Sequence, residues 1–167
     1  MMHRLDDGTV DGEIQFRGDS LFLGYREGEE ITRPETSDGW FATRDKGFLD
    51  GDGYLHVNGR MDNMFIAGGE NVQPESIEAI LETFPSIQRA IVVPVAHVEF
   101  GASPAAFILW DQAALPLGTL KEQLKDLLPS HALPQHIFPW PEDIDKDRIK
   151  VSRRDFEKRA KQFLAQP

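Results

Sequence analysis

The 167-residue sequence lacks cysteine altogether. This absence excludes a disulfide framework, a thiolate nucleophile, a cysteine-ligated zinc ion and an iron–sulfur cluster. Long apolar runs are also missing, since none approaches the roughly 20 residues of a membrane helix, and the first residues do not resemble a signal peptide. We therefore expect a cytoplasmic protein without membrane insertion.

Basic residues are scarce, because 18 Lys and Arg stand against 28 Asp and Glu and give a net charge of −10. Binding to nucleic acid is not expected, since neutralising phosphates requires a basic face. The charge is uneven along the chain: residues 146–161 carry eight basic and three acidic side chains. This basic stretch fits either a solvated helix face or a set of cations that meets a small anionic ligand.

Periodicity predicts an α+β protein in two parts. Residues 12–60 contain short alternating apolar and polar runs typical of β-strands, among them 41–45 and 47–49, and a hairpin turn at 50–53. We therefore predict a β-rich remnant over residues 1–61 and a compact α+β domain over residues 62–167.

The second part is predicted to hold three helices and a small sheet. Pro74 suits the first position of a helix, and a capping box at Thr119 with Glu122 would open a second helix that buries Leu120, Leu124, Leu127 and Leu128. Ser152 would cap a third helix. Strands are expected at 90–95, 105–109 and 136–140.

Metal sites and common nucleophiles are not evident. The five histidines show no spacing typical of metal ligands, so no metal site is predicted. Asp50 and Asp52 could suggest a calcium loop, but Met61 stands where such a loop needs a bidentate glutamate. No Ser-His-Asp arrangement or nucleophile elbow is recognisable.

Three local features could carry chemistry, and each has an ordinary alternative. Asp45, at the end of a predicted strand, could accept the two hydroxyls of a ribose or be a simple turn residue. The pair Gly68-Gly69 could hold an anion on its amides or form a hairpin turn. Lys150 could stabilise developing negative charge or lie in solvent.

Taken in order, the runs at 40–45 and 59–75 resemble the adenylate-forming superfamily of acyl-CoA synthetases, nonribosomal adenylation domains and luciferases. The resemblance extends from about Gly12 to Phe163. A finer resemblance, to the O-succinylbenzoate–CoA ligases of menaquinone biosynthesis, is carried by residues 43–47, 69–75, 93–101 and 149–153. Arg44 and Ile149 replace glycines found in most of the superfamily, and both departures favour this finer assignment.

The resemblance implies a ligase that joins a small-molecule carboxylate to coenzyme A with ATP and Mg²⁺, through an acyl-adenylate. Asp45 would hold the ribose hydroxyls of ATP, and Arg60 would contact the ribose and phosphate region. Asp62 would be the hinge about which the C-terminal lid domain rotates. Lys150 would be the catalytic lysine that bridges the carboxylate and the α-phosphate. The channel for coenzyme A would be lined by Gly68, Gly69 and Glu70.

The superfamily's main domain is absent from this sequence, which has no phosphate loop ending in lysine and no Tyr-Gly-x-Thr-Glu segment. The missing N-terminal adenylation domain, in the same full-length chain or as a separate subunit, would be the partner, and the chain alone would be inactive. Alternatives are another acyl- or aryl-CoA synthetase, a nonribosomal adenylation domain, or a free-standing non-catalytic module or truncated relic. Apolar side chains left uncovered would favour self-association: Leu21, Phe22, Leu23 and Trp40.

Overall fold

The computed structural model describes residues 10–19, 21–32, 39–111, 114–147 and 151–165. The chain divides into two compact units, Met1–Asp62 and Asn63–Pro167, next to the predicted boundary. Strands occur in both units, and the α-helices of the described residues lie in the second. The predicted α+β class is confirmed.

The first unit is built from β-strands. Their bounds are Val10–Phe16 for β1, Tyr25–Glu27 for β2, Glu30–Thr32 for β3, Phe41–Leu49 for β4 and Leu55–Arg60 for β5. A three-stranded antiparallel sheet has the order β1-β4-β5, and β2 pairs with β3 as a separate hairpin.

Strand β4 is one continuous strand of nine residues, where the sequence predicted two shorter ones. Gly47 explains the continuity, since a Cβ at this position would lie 2.2 Å from the carbonyl oxygen of His56 on β5. The missing side chain lets the two strands approach closely. Gly47 is therefore part of the pairing and does not interrupt it.

The predicted turn at 50–53 is confirmed. The carboxylate of Asp50, which could have suggested a calcium loop, is bonded to groups within this hairpin. One oxygen of Asp50 accepts the N–H groups of Asp52 at 3.0 Å and Tyr54 at 2.9 Å. The other oxygen lies 2.6 Å from Nε2 of His56. The bond with His56 is the main cause that lowers the pKa of Asp50. The carboxylate stabilises the hairpin.

The second unit combines short strands with three helices. Its elements are β6 Phe65–Ala67, β7 Glu70–Val72, α1 Pro74–Leu81, β8 Ile87–His97, β9 Gly101–Trp110, α2 Leu117–Lys125, β10 His136–Pro139 and α3 Arg153–Ala165. The sheet order is β10-β9-β8, with β8 antiparallel and β10 parallel to β9. Two 3-10 helices cover Met61–Asn63, at the junction of the units, and Ser130–Ala132.

The central sheet of this unit is covered on both faces. Alternate residues of β8 point to opposite sides, so Val92 packs in one core with α1 and α2 while Val93 packs in another with α3. Phe156 is the fully buried anchor of α3. Burial on both faces explains why the sequence shows continuous apolar runs here and no alternation.

The start of α2 differs from the prediction. The helix begins at Leu117 after Pro116, no side chain caps its N-terminus, and Thr119 lies within its first turn, so the predicted capping box is wrong. The carbonyl of Pro116 accepts the N–H of Leu120 at 3.1 Å, and the helix therefore starts three residues earlier than predicted. Leu127 was expected inside but is 52% exposed.

Helix α3 follows Ser152 as predicted. Within the part of the chain that the structure describes, no helix is both long and apolar enough to cross a membrane.

Candidate functional site

A bulge in β4 displays the residues that the sequence singled out on this strand. The β1–β4 register breaks at Ile14, which faces the three residues 43–45. The hydroxyl of Thr43 donates to the carbonyl of Ile14 at 2.8 Å and accepts the N–H of Asp45 at 3.0 Å. Bulges of this kind redirect side chains. Thr43 therefore fixes the backbone that presents Asp45.

Asp45 and Arg60 meet across the β4–β5 pairing. They are register partners, and Nη1 of Arg60 donates to Oδ1 of Asp45 at 3.0 Å. Their side chains are 36% and 47% exposed, respectively. The pair is thus preformed by the sheet and accessible to a ligand from solvent.

Asp62 and Arg44 extend this pair into a row of alternating charges. Nη2 of Arg60 donates to Oδ2 of Asp62 at 3.3 Å. Arg44 donates to the other oxygen of Asp62 from Nη2 at 2.5 Å and from Nε at 3.1 Å. The hydrogen bonds from Arg44 are the main cause that lowers the pKa of Asp62. The structure therefore brings together three of the predicted site residues and adds Arg44, which the sequence marked only as a departure from glycine.

The predicted glycine pair forms the turn of the β6–β7 hairpin. Gly68 and Gly69 have φ values of 60° and 88°, the left-handed conformations that a two-residue hairpin turn requires. The N–H of Gly68 donates to the carbonyl of Phe100 at 3.1 Å, and a Cβ on Gly68 would lie 3.3 Å from that ring. Glu70 follows the turn and is exposed. The turn needs glycine for conformation and, at Gly68, for space.

Lys150 lies outside the described residues. Close after it in the sequence, Arg153 connects α3 to α1 and β8. Its guanidinium donates to both carboxylate oxygens of Glu78, at 2.8 Å for the Nη2–Oε2 bond, and to the carbonyl of Val92 at 2.7 Å. Nη2 also lies 3.1 Å from Oε1 of Glu75. The first residue of α3 is thereby fixed to the core of the second unit.

The ion pair between Arg153 and Glu78 is largely buried. The side chains of Arg153 and Glu78 are only 18% and 11% exposed. Burial raises the pKa of Glu78, and the hydrogen bonds from Arg153 oppose that rise. Burial alone would lower the pKa of Arg153, but the hydrogen bond and charge of Glu78 outweigh it and raise that pKa. Removing Arg153 would therefore leave the carboxylate of Glu78 buried without a counter-charge.

Sequence reasoning did not identify the Glu78–Arg153 pair. The two residues are 75 positions apart, and no local pattern joins them. A signal existed at Glu78 alone, since it lies three positions before the buried Leu81 on the same face of α1. A charged side chain on a buried helix face calls for a buried partner.

Among the described residues, no cluster of three or more histidine, aspartate and glutamate side chains is arranged to hold a metal ion. The chemistry available to the first unit is instead a paired carboxylate and guanidinium at the surface. Such a pair can receive hydroxyl groups on Asp45 and negative charge on Arg60.

No protein-family model matches the chain. Individual relatives do. The chain is 37% identical over 145 residues to the 2-succinylbenzoate–CoA ligase of Salmonella typhimurium and 34% identical over 145 residues to that of Escherichia coli K12. Each match covers 87% of this chain and 31% of the relative. The chain is also 37% identical over 134 residues to the probable acyl-activating enzyme 4 of Arabidopsis thaliana. This match covers 78% of the chain and 25% of that protein.

Solved structures agree with these relatives. The R195K variant of E. coli MenE with bound OSB-AMS matches with a TM-score of 0.81 and 30% identity, over 96% of this chain and 33% of that one. The o-succinylbenzoate CoA synthetase (MenE) of Bacillus subtilis, in complex with OSB-AMP, matches with a TM-score of 0.77 and 26% identity, over 94% and 33%. The chain spans about a third of the length of the relatives it matches. Sequence and fold thus match the C-terminal portion of adenylate-forming enzymes, and the predicted resemblance is confirmed.

Proposed function

We propose that this chain is the C-terminal part of a cytoplasmic AMP-forming acid–CoA ligase whose acid is 2-succinylbenzoate, an enzyme of menaquinone biosynthesis. The similarity to 2-succinylbenzoate–CoA ligases over 87% of the chain carries the proposal. The preformed pair of Asp45 and Arg60 supports it, because it offers a carboxylate and a cation side by side at an accessible surface.

The proposed reaction has two steps. A carboxylate oxygen of the acid attacks the α-phosphorus of ATP, the bond to the β-phosphate breaks, and pyrophosphate leaves with its electron pair. The thiol of coenzyme A then attacks the carbonyl carbon of the acyl-adenylate and loses its proton to solvent. The bond to AMP breaks, and the thioester forms.

The first step joins two anions, so cations must offset their repulsion. Arg60 would contact the ribose and phosphate region of ATP, while Asp45 would accept hydrogen bonds from the ribose hydroxyls. Lys150 would bridge the acid and the α-phosphate. Mg²⁺ would be carried by the phosphates of ATP and supply further positive charge.

The second step would need a different set of residues around the same adenylate. In this proposal, Asp62 is the hinge at which the C-terminal lid domain turns between the two steps. The turn Gly68-Gly69, followed by Glu70, would then line the channel for the pantetheine arm of coenzyme A. The small, left-handed turn supports this role, since it brings the backbone close to any ligand that passes.

The acid pocket would lie in the N-terminal adenylation domain, so residues outside this chain would select the acid. Similarity to a plant acyl-activating enzyme supports a second candidate, an acyl- or aryl-CoA synthetase for another acid. Both candidates require the same partner, the N-terminal adenylation domain, in the same chain or as a separate subunit.

The test is a chimera in which this chain replaces the matching segment of the Salmonella ligase. We expect it to release pyrophosphate and form the thioester when given 2-succinylbenzoate, ATP, Mg²⁺ and coenzyme A. A matched chimera that carries the E. coli segment controls for the junction. An active control beside a folded but inactive test chimera would contradict the proposal, and we expect the isolated chain to show no ligase activity.

A further inference from the structure

Arg44 has a backbone conformation that its residue type disfavours. Its φ is +65°, and it is the only non-glycine residue with a positive φ among the described residues. Glycine adopts this region without penalty, whereas a side chain with a Cβ is strained there. An arginine at this position therefore needs a compensating interaction.

The compensation comes from both ends of the residue. The backbone N–H of Arg44 donates to Oε1 of Glu13 on β1 at 3.0 Å. Its guanidinium donates twice to Oδ1 of Asp62, from Nη2 at 2.5 Å and Nε at 3.1 Å. A glycine would keep the bulge but could not reach Asp62.

Asp62 is held by two arginines at the point where the first unit ends. Arg44 occupies Oδ1 and Arg60 occupies Oδ2. Asp62 lies in the 3-10 helix Met61–Asn63 and is the last residue of the first unit. Both oxygens are thus engaged by side chains that the β4–β5 pairing holds in place.

We propose that Arg44 is a positioning residue that fixes Asp62 in one conformation, so that the backbone around residue 62 cannot change until these exposed ion pairs open. The inference rests on the proposed function only in treating this junction as the hinge of a two-step ligase. In that setting, Arg44 stabilises one hinge conformation over the other and thereby changes the relative rates of the two steps.

Amide hydrogen exchange of the 167-residue chain tests this role. In Arg44→Gly, the amides of residues 61–64 should exchange roughly two- to fivefold faster, the range expected for an exposed ion pair. The melting temperature should stay the same or rise, because glycine suits a φ of +65°. A merely structural role predicts the opposite combination, a lower melting temperature with no selective effect at residues 61–64.

Two comparisons complete the test. Arg44→Lys keeps the charge but loses the second N–H contact, and should fall between the wild type and Arg44→Gly. About 1 M salt should bring wild-type exchange at residues 61–64 close to that of Arg44→Gly, since exposed pairs are screened. Unchanged exchange in Arg44→Gly overturns the inference, even if the chimera described above is active. An inactive chimera overturns the proposed function and leaves this result in place.

Discussion

Arg60 lies directly opposite Asp45 because the β4–β5 register shifts between Lys46 and Gly47. Near the turn, Leu49 pairs with Leu55, and continuing that register would place Gly59 opposite Asp45. A slip of one residue turns side chains to the other face of a sheet. The irregularity therefore creates the 3.0 Å contact between Asp45 and Arg60.

Asp45→Asn should raise the KM for ATP of the chimera by about tenfold or more, because a hydrogen bond to a charged group contributes about 1.5–3 kcal/mol. Steady-state kinetics with ATP as the varied substrate measures this. Asp52→Asn, the same change at an exposed position of the neighbouring turn, serves as the control and should leave the KM unchanged. An equal KM for ATP in Asp45→Asn and Asp52→Asn would contradict a role of Asp45 in binding ATP.

Arg153→Met should destabilise the second unit by about 3–5 kcal/mol, since it leaves the carboxylate of Glu78 buried without its partner. Chemical unfolding at pH 7 gives the free energy. The neighbouring Arg154→Met is the matched control, because Arg154 is exposed, and should change the free energy of unfolding by less than about 0.5 kcal/mol.

The loss in Arg153→Met should depend on pH. Burial already holds the pKa of Glu78 above its ordinary value of 4.5, and removing Arg153 takes away the hydrogen bonds and the charge that oppose this rise. The folded variant then binds the Glu78 proton more tightly than the unfolded chain does, so the penalty is smallest below pH 4.5 and grows as the pH rises through the raised pKa. An equal loss of unfolding free energy at pH 4 and at pH 8 would contradict this pH dependence.

Gly47→Ala should destabilise the first unit by about 1–3 kcal/mol, because an added Cβ collides with a backbone carbonyl that cannot move away easily. Its register partner on β1, Gly12, has no atom within 4 Å of a built Cβ. Gly12→Ala is therefore the matched control. Hydrogen exchange of the β4 amides measures the effect of each substitution. Equal protection of these amides in Gly47→Ala and Gly12→Ala would contradict the close approach of β4 and β5 at Gly47.

Self-association of the isolated chain should be reduced by Val57→Lys. Val57 is 63% exposed on β5, which is an edge strand of the described sheet, and a lysine on an edge opposes pairing with a second copy. Sedimentation velocity over a range of concentrations measures the effect. Val98→Lys, at a fully exposed position outside the sheet edge, is the control; a wild-type chain that stays monomeric at all concentrations would contradict the expectation.

The local elements of the fold could be predicted from the sequence. The apolar runs of β8 and β9, the helix that starts at Pro74 and the hairpin turn after Asp50 all follow from nearby residues. The start of α2 could not, because the capping-box pattern at Thr119 favoured a later start than the one that follows Pro116. The continuity of β4 was missed because glycine usually weakens a strand, whereas Gly47 permits a close approach.

The site was only partly visible in the sequence. Asp45, Arg60 and Asp62 were selected, but the contact between them depends on a register shift that no sequence pattern marks. The left-handed conformation of Arg44 was hidden, since arginine gives no conformational signal of the kind that glycine gives. The Glu78–Arg153 pair depends on tertiary packing across 75 positions of the chain.

The most direct test of the account is to compare the two half-reactions in the chimera that carries Lys150→Ala. We expect adenylation, measured as pyrophosphate release, to slow on the order of 100-fold, while thioester formation from preformed acyl-adenylate stays nearly unchanged. Lys146→Ala, an exposed lysine of the same basic stretch, should alter neither step. Equal losses in both half-reactions, or no loss in adenylation, would contradict the claim that this chain supplies the adenylating lysine of an acid–CoA ligase.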